Sequence, residues 1–190
     1  RLLSPKDYGL VGMVTVISGF ATLFMNLGLS SAIIQKKKIT QKDLSSVFWF
    51  NLAVGVALTF LFIACSPLIA YFYDEPSLIP LTIFLSFNFL IGSLSIVQST
   101  TLSKRIDFKT PFKVQVISLS VTSLITIPLA WKGYGVWSLA VQSVLNSLLG
   151  TLLLWFYSPW KPSLYFNWKV IKSLLAFSMN VFGNDALNYW

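Results

Sequence analysis

Histidine is absent from this chain of 190 residues, cysteine occurs once, and aspartate and glutamate together number six. Metal-dependent membrane proteolysis and most acid–base chemistry need His, Cys or paired carboxylates. The five full-length apolar runs hold no carboxylate, so no metal, cofactor or catalytic residue is expected, and the chain does not read as an enzyme. The single Cys65 rules out a disulfide framework. No Gly-rich run ends in Gly-Lys-Ser or Gly-Lys-Thr, which removes a P-loop, and no ring of acids suggests a cation filter. Charge itself is scarce, at 11% against 55% apolar residues, too greasy a balance for a soluble core of this length.

The few charges sit in short clusters. Residues 8–35, 44–73, 76–103, 114–131 and 133–160 contain no Asp, Glu, Lys or Arg. A hydrocarbon core about 30 Å thick takes about 20 apolar helical residues to cross, and a Lys or Arg at its centre costs about 2.5–3.5 kcal/mol. Spans are therefore expected over 10–34, 47–73, 78–102, 114–131 and 136–157, with a sixth helix opening near Lys172. Barrel strands alternate with a two-residue period over about 10 residues, whereas these runs are continuous. The expected fold is all-α: a polytopic transmembrane helix bundle of five full spans plus the start of a sixth. With no initiating Met, and with Tyr189-Trp190 ending inside an apolar run, the sequence reads as a fragment of a longer protein.

Assigning the clusters alternately to two faces divides the 14 bases unevenly. One face holds Arg1, Lys6 and Lys132, with the Asp74-Glu75 turn. The other holds Lys36, Lys37, Lys38, Lys42, Lys104, Arg105, Lys109, Lys113, Lys161, Lys169 and Lys172. The positive-inside rule puts that second face in the cytoplasm. The net charge of +8 thus reflects orientation, and no nucleic-acid partner is expected. Aromatics mark the span ends, among them Phe48-Trp49-Phe50, Tyr71-Phe72-Tyr73 and Trp155-Phe156-Tyr157.

Small and polar residues inside the runs recur on one helical face each. They are Thr15, Ser18, Gly19, Thr22, Asn26 and Ser30 in the first run, and Asn51, Gly55, Thr59 and Ser66 in the second. The third has Asn88, Gly92, Ser95 and Ser99, the fourth Gln115, Ser118, Thr122 and Thr126, the fifth Ser138, Gln142, Asn146 and Gly150. Such stripes serve helix packing, where small residues allow close approach and hydroxyls or amides bond across helices. They equally suit a hydrated cavity binding hydroxyl-rich cargo. On that second reading Asn26, Asn51, Asn88, Gln115, Gln142 and Asn146 are the candidate ligands, joined by Lys104 and Arg105 in a basic loop. Asp185, flanked by Asn180, Asn184 and Asn188, is the one carboxylate in an apolar run and the candidate for ion coupling. Residues 158–172 mix Trp160, Leu164, Phe166 and Trp168 with Lys161, Lys169 and Lys172. That mixture suits either a linker lying in the cytoplasmic interface or an ordinary loop with aromatic anchors.

Five strings, in order, resemble one family. They are Leu3-Ser4-Pro5-Lys6-Asp7-Tyr8-Gly9, Leu27-Gly28-Leu29-Ser30-Ser31-Ala32-Ile33-Ile34-Gln35-Lys36-Lys37 and Arg105-Ile106-Asp107-Phe108-Lys109. Gly133-Tyr134-Gly135-Val136-Trp137-Ser138-Leu139 and Leu154-Trp155-Phe156-Tyr157-Ser158-Pro159-Trp160-Lys161-Pro162 complete the set. Together they resemble bacterial polysaccharide flippases of the Wzx type, in the multidrug/oligosaccharidyl-lipid/polysaccharide exporter superfamily. The resemblance implies a two-lobed inner-membrane protein of at least twelve helices that moves polyprenyl-pyrophosphate-linked glycan across the bilayer alongside other polysaccharide assembly proteins. Residues 1–157 would then be first-lobe helices, 158–172 the linker, and 173–190 the start of a second-lobe helix. Relatives of that type carry bases in the cavity for the pyrophosphate. None lies in these five runs, which leaves the amides above or helices outside the chain. A multidrug or metabolite antiporter of the same superfamily is the alternative within the class, and a membrane-embedded glycan polymerase or transferase the alternative outside it.

Overall fold

The structure, a computed structural model, describes residues 4–26, 29–36 and 39–176. Asp185 and the expected second-lobe helix beyond residue 176 lie outside the described residues, as does the side chain of Asn26. The described chain is helical with no strands: α1 (Pro5–Asn26), α2 (Leu29–Gln35), α3 (Gln41–Phe72), α4 (Leu78–Ser93), α5 (Ile96–Lys104), α6 (Lys109–Trp131) and α7 (Val136–Tyr157). Residues 168–176 are again helical.

Polar side chains set the helix ends. Thr40 and Asp43 form a capping box at the start of α3: the Asp43 amide donates to Thr40 Oγ1 at 3.3 Å and the Thr40 amide to Asp43 Oδ2 at 3.1 Å. Asp107 accepts from the Thr110 amide at 3.1 Å where α6 begins. Both helices therefore start several residues before their charge-free runs. Hydropathy does not register a cap as helix, although caps decide where helices start.

Among the described residues, α3, α6 and α7 are each long and apolar enough to cross a membrane, and α4 with α5 makes a fourth if the bent pair is one span. Phe60, Leu68 and Leu124, 67%, 68% and 75% exposed, lie on outer faces of the bundle, where acyl chains are their natural neighbours. The run 10–34 is carried by α1 and α2.

The run 78–102 was expected as one helix, but α4 and α5 meet at a bend of 43°. Ser93 Oγ donates to Leu90 O at 2.7 Å and Ser95 Oγ to Gly92 O at 2.9 Å, local bonds that bend helices. Carbonyls freed by a bend inside a membrane must find donors in the protein. Here α7 contributes: Trp155 Nε1 donates to Leu94 O at 2.8 Å, and Thr151 Oγ1 adds a donor at 3.2 Å to Ile91 O, which also accepts from the Leu94 amide. The Gln98 amide, oriented so that both its ends are satisfied, donates to Leu94 O at 2.9 Å and accepts from Trp155 Nε1 at 3.1 Å.

The tightest helix pair is α3 with α4. A Cβ on Gly55 would stand 2.6 Å from Ser93 Cβ and 2.9 Å from Phe89 O, so the two backbones touch there. Thr59 Oγ1 donates to Gly55 O at 2.8 Å and reaches Ser86 O of α4 at 3.2 Å. Around this contact α1 packs on α4, α2 on α5, and α7 on both α4 and α6.

Residues 158–167 have no regular structure and lie along the first turns of α3. Gln41, Ser45 and Trp49, four residues apart on one face, hold the backbone of this segment. Gln41 Nε2 donates to Lys161 O at 2.6 Å, Trp49 Nε1 donates to Ser163 O at 2.9 Å, and Ser45 Oγ accepts from the Ser163 amide at 3.0 Å. Ser46 Oγ accepts from the Asn167 amide at 3.1 Å. Trp160 is buried beside Phe48, with ring centroids 6.0 Å apart, while Leu164, Phe166 and Trp168 are exposed.

Candidate polar groove

One groove, about 300 Å³ in volume, collects polar side chains from three helices. α1 contributes Thr15, Ser18 and Thr22, α4 contributes Asn88 and Gly92, and α7 contributes Ser143, with Val11, Met25, Leu85, Phe89 and Ile96 as apolar walls. The α1 hydroxyls donate to their own helix: Thr15 Oγ1 to Val11 O at 2.7 Å, Ser18 Oγ to Thr15 O at 3.1 Å, Thr22 Oγ1 to Gly19 O at 2.6 Å. Their protons are thus occupied and their lone pairs remain for a ligand. Asn88 Nδ2 donates to Ser143 Oγ at 3.0 Å, which leaves the Ser143 proton available. Asn88 Oδ1 is buried and has no partner in the protein. A buried amide oxygen without a donor costs about 1–3 kcal/mol, so this atom calls for a donor from a water or a ligand. The lining residues are uncharged, and no group of three His, Cys, Asp or Glu among the described residues could hold a metal ion.

Of the expected cargo-binding amides whose side chains are described, only Asn88 lines this groove. Asn51 is 1% exposed, in α3, with neither amide atom hydrogen-bonded. Gln115 is exposed on α6, and Gln142 and Asn146 are half-buried on α7, Asn146 Oδ1 without a partner. The fourth stripe serves packing: Ser118, Thr122 and Thr126 are buried, Thr122 and Thr126 donate to carbonyls one turn back, and Ser118 faces Gly150. Ser143 falls outside the fifth stripe as drawn, beside Gln142. Which residues of a polar face meet a neighbour depends on how far each helix is rotated, and periodicity alone does not carry that rotation.

The basic candidates separate as well. Lys104 Nζ donates to Ile33 O at 2.5 Å and also to Lys36 O, closing the C-terminal end of α2. Lys36 Nζ in turn pairs with Asp43 Oδ2 at 3.0 Å. Arg105 is exposed. Lys104→Met is expected to cost about 1.5–3 kcal/mol, the range for hydrogen bonds made by a charged group. The thermal midpoint of purified protein in detergent would fall accordingly, while Arg105→Gln leaves it unchanged.

At the opposite end of the bundle, Asp7 accepts from the Ser4 hydroxyl at 2.7 Å and the Ser4 amide at 2.8 Å. These bonds, followed by one from the Val136 amide and the charge of Lys6, hold its carboxyl below the usual range. Glu75 is also lowered, by the Ser77 hydroxyl and by Lys6, whose ammonium lies 3.2 Å away. Depressed carboxylates contribute stability above their unfolded pKa and lose it as the pH falls through the folded value. Both side chains are only half-buried and in reach of water, so screening keeps that contribution small. Residues in or beside the resembling strings make contacts between helices at both ends of the bundle. Asp7 reaches Gly135 and Val136, Lys104 beside Arg105 reaches Ile33 and Lys36, and Trp155 reaches the α4–α5 bend. These strings join helix ends.

Residues 1–190 match the model of a family described as polysaccharide biosynthesis protein. The chain is 27% identical over 190 residues to the succinoglycan biosynthesis transport protein ExoT of Rhizobium meliloti, covering all of this chain and 38% of that one. It is 28% identical over 161 residues to the teichuronic acid biosynthesis protein TuaB of Bacillus subtilis, 83% of this chain and 33% of that one. With the lipopolysaccharide biosynthesis protein WzxC of Escherichia coli the identity is 25% over 196 residues, 100% of this chain and 39% of that one. The chain therefore spans between a third and two fifths of the length of these relatives. No solved structure matches it. Matched over its whole length, and with apolar helices long enough to cross a bilayer, the chain is a membrane protein of the polysaccharide biosynthesis family.

Proposed function

We propose that this chain forms part of a flippase that carries lipid-linked oligosaccharide from the cytoplasmic to the outer leaflet of the bacterial inner membrane, with no bond made or broken. A glycan cannot cross hydrocarbon unaided, because each hydroxyl stripped of water without a new partner costs several kcal/mol. The observation that carries the reading is the groove, where Asn88 Oδ1 lacks a donor beside the Ser143 hydroxyl and the α1 lone pairs. Sugar hydroxyls donate and accept, so this uncharged set suits them, while a polyprenyl tail stays in lipid. The relatives named for succinoglycan transport and lipopolysaccharide biosynthesis support the same cargo class. In this reading the chain provides five spans of a first lobe, its base-rich face lies in the cytoplasm, and rocking against a second lobe opens the groove to either side.

The test is export by full-length protein in a strain lacking its own copy. Asn88→Leu with Ser143→Ala is expected to lower surface polysaccharide about tenfold, the effect of losing one or two hydrogen bonds, and to accumulate lipid-linked units inside. Asn51→Leu, away from the groove, leaves export intact. Full export by the Asn88/Ser143 double variant at normal expression would remove the groove from the cargo path.

A further inference from the structure

Among the described residues, three helix ends close through a residue with left-handed φ: Asp74 at 52°, Gly133 at 82° and Ile106 at 60°. Each forms the same pair of reverse bonds. The longer bond runs from the Glu75 amide to Ala70 O at 3.0 Å, from Tyr134 to Leu129 O at 3.3 Å, and from Asp107 to Leu102 O at 3.0 Å. Glycine takes this conformation freely and aspartate with little strain, but a β-branched side chain is crowded by its own backbone there. Ile106 gains no burial in exchange, being 76% exposed. A residue that suits neither the turn nor the core thus presents its apolar side chain outward.

Its neighbours indicate the partner. Phe108 is 66% exposed and Phe112, four residues on, 70% exposed. Lys109 and Lys113 follow one residue behind each, and Arg105 precedes; all three bases are exposed. The one acid nearby, Asp107, is occupied by the Thr110 amide and hydroxyl, at 3.1 and 2.7 Å. The patch is therefore apolar with a net positive edge. It stands at the first residues of α6, a helix able to cross a membrane, which sets it at headgroup level.

We propose that the α5–α6 turn is a docking surface for anionic phospholipid: Ile106, Phe108 and Phe112 seat at the acyl boundary while Arg105, Lys109 and Lys113 hold the lipid phosphate. The proposal does not depend on the transport reading, since it concerns the bilayer and not the cargo.

Purified full-length protein in a neutral detergent would be titrated with phosphatidylglycerol, phosphatidylcholine or inorganic phosphate, following the thermal midpoint. Phosphatidylglycerol is expected to raise it by several degrees, an effect lost in high salt, while the other two do little. The triple variant Arg105→Gln, Lys109→Gln, Lys113→Gln loses the phosphatidylglycerol shift. Ile106→Gly relieves the backbone, so its midpoint without lipid rises, yet its response to phosphatidylglycerol shrinks. That variant separates lipid binding from folding. A full response in either variant, an equal response to phosphatidylcholine, or an equal response to inorganic phosphate would overturn the proposal.

Discussion

Gly55→Leu is expected to abolish folded protein. The new side chain would begin 2.6 Å from Ser93 Cβ and 2.9 Å from Phe89 O, and the second of these is backbone that no rotamer change can move. α3 and α4 would have to separate along their tightest contact, breaking the 3.2 Å bond from Thr59 to Ser86 O as well. Overpacking alone costs about 1–3 kcal/mol and sometimes more, against a total stability of about 5–15 kcal/mol. Gly55→Ala already introduces the clash and should lower the midpoint in detergent. Gly92→Ala is the control, because among the described residues its Cβ would meet only the Met25 terminal methyl, at 3.8 Å. Monodisperse Gly55→Leu protein at wild-type yield on gel filtration would show that the α3–α4 contact is looser than described.

Trp155→Ala is the second large effect. The indole donates to Leu94 O at the α4–α5 bend and packs edge-on against Phe48, centroids 6.0 Å apart. Removing a large aromatic from such a site costs about 3–5 kcal/mol, and the bend loses one of its donors. Trp155→Phe keeps a ring and removes only the N–H, so it should lie between the two, about 1–3 kcal/mol below wild type. Thermal melts of the three proteins in one detergent measure this. A Trp155→Phe protein as stable as wild type would leave the bend supported by Gln98 and Thr151 alone.

Helix positions were legible because membranes exclude charge. The runs expected at 47–73, 114–131 and 136–157 appear as α3, α6 and α7, with C-terminal ends within one residue of expectation. Their starts at α3 and α6 fell earlier because Thr40, Asp43 and Asp107 cap helices through polar side chains that a hydropathy reading assigns to loops. The α4–α5 bend was hidden for a similar reason. Gly92, Ser93 and Ser95 are ordinary in a packed membrane helix, and only the arrival of Thr151 and Trp155 from α7 makes the break affordable in an apolar medium.

The candidate site was legible by residue type but not by membership. Asn88 and the α1 stripe were marked by periodicity, yet so were Asn51, Gln115, Gln142 and Asn146, which lie elsewhere. Lys104 looked like its neighbour Arg105 until the α2 carbonyls came within reach of one ammonium and not of the other guanidinium. Charge exclusion acts on each segment separately, so composition and run length were enough to establish an all-helical membrane chain. The groove, the bend and the role of each base depend on how far helices distant in sequence are rotated and how closely they approach, and those are properties of pairs of helices that no single run contains.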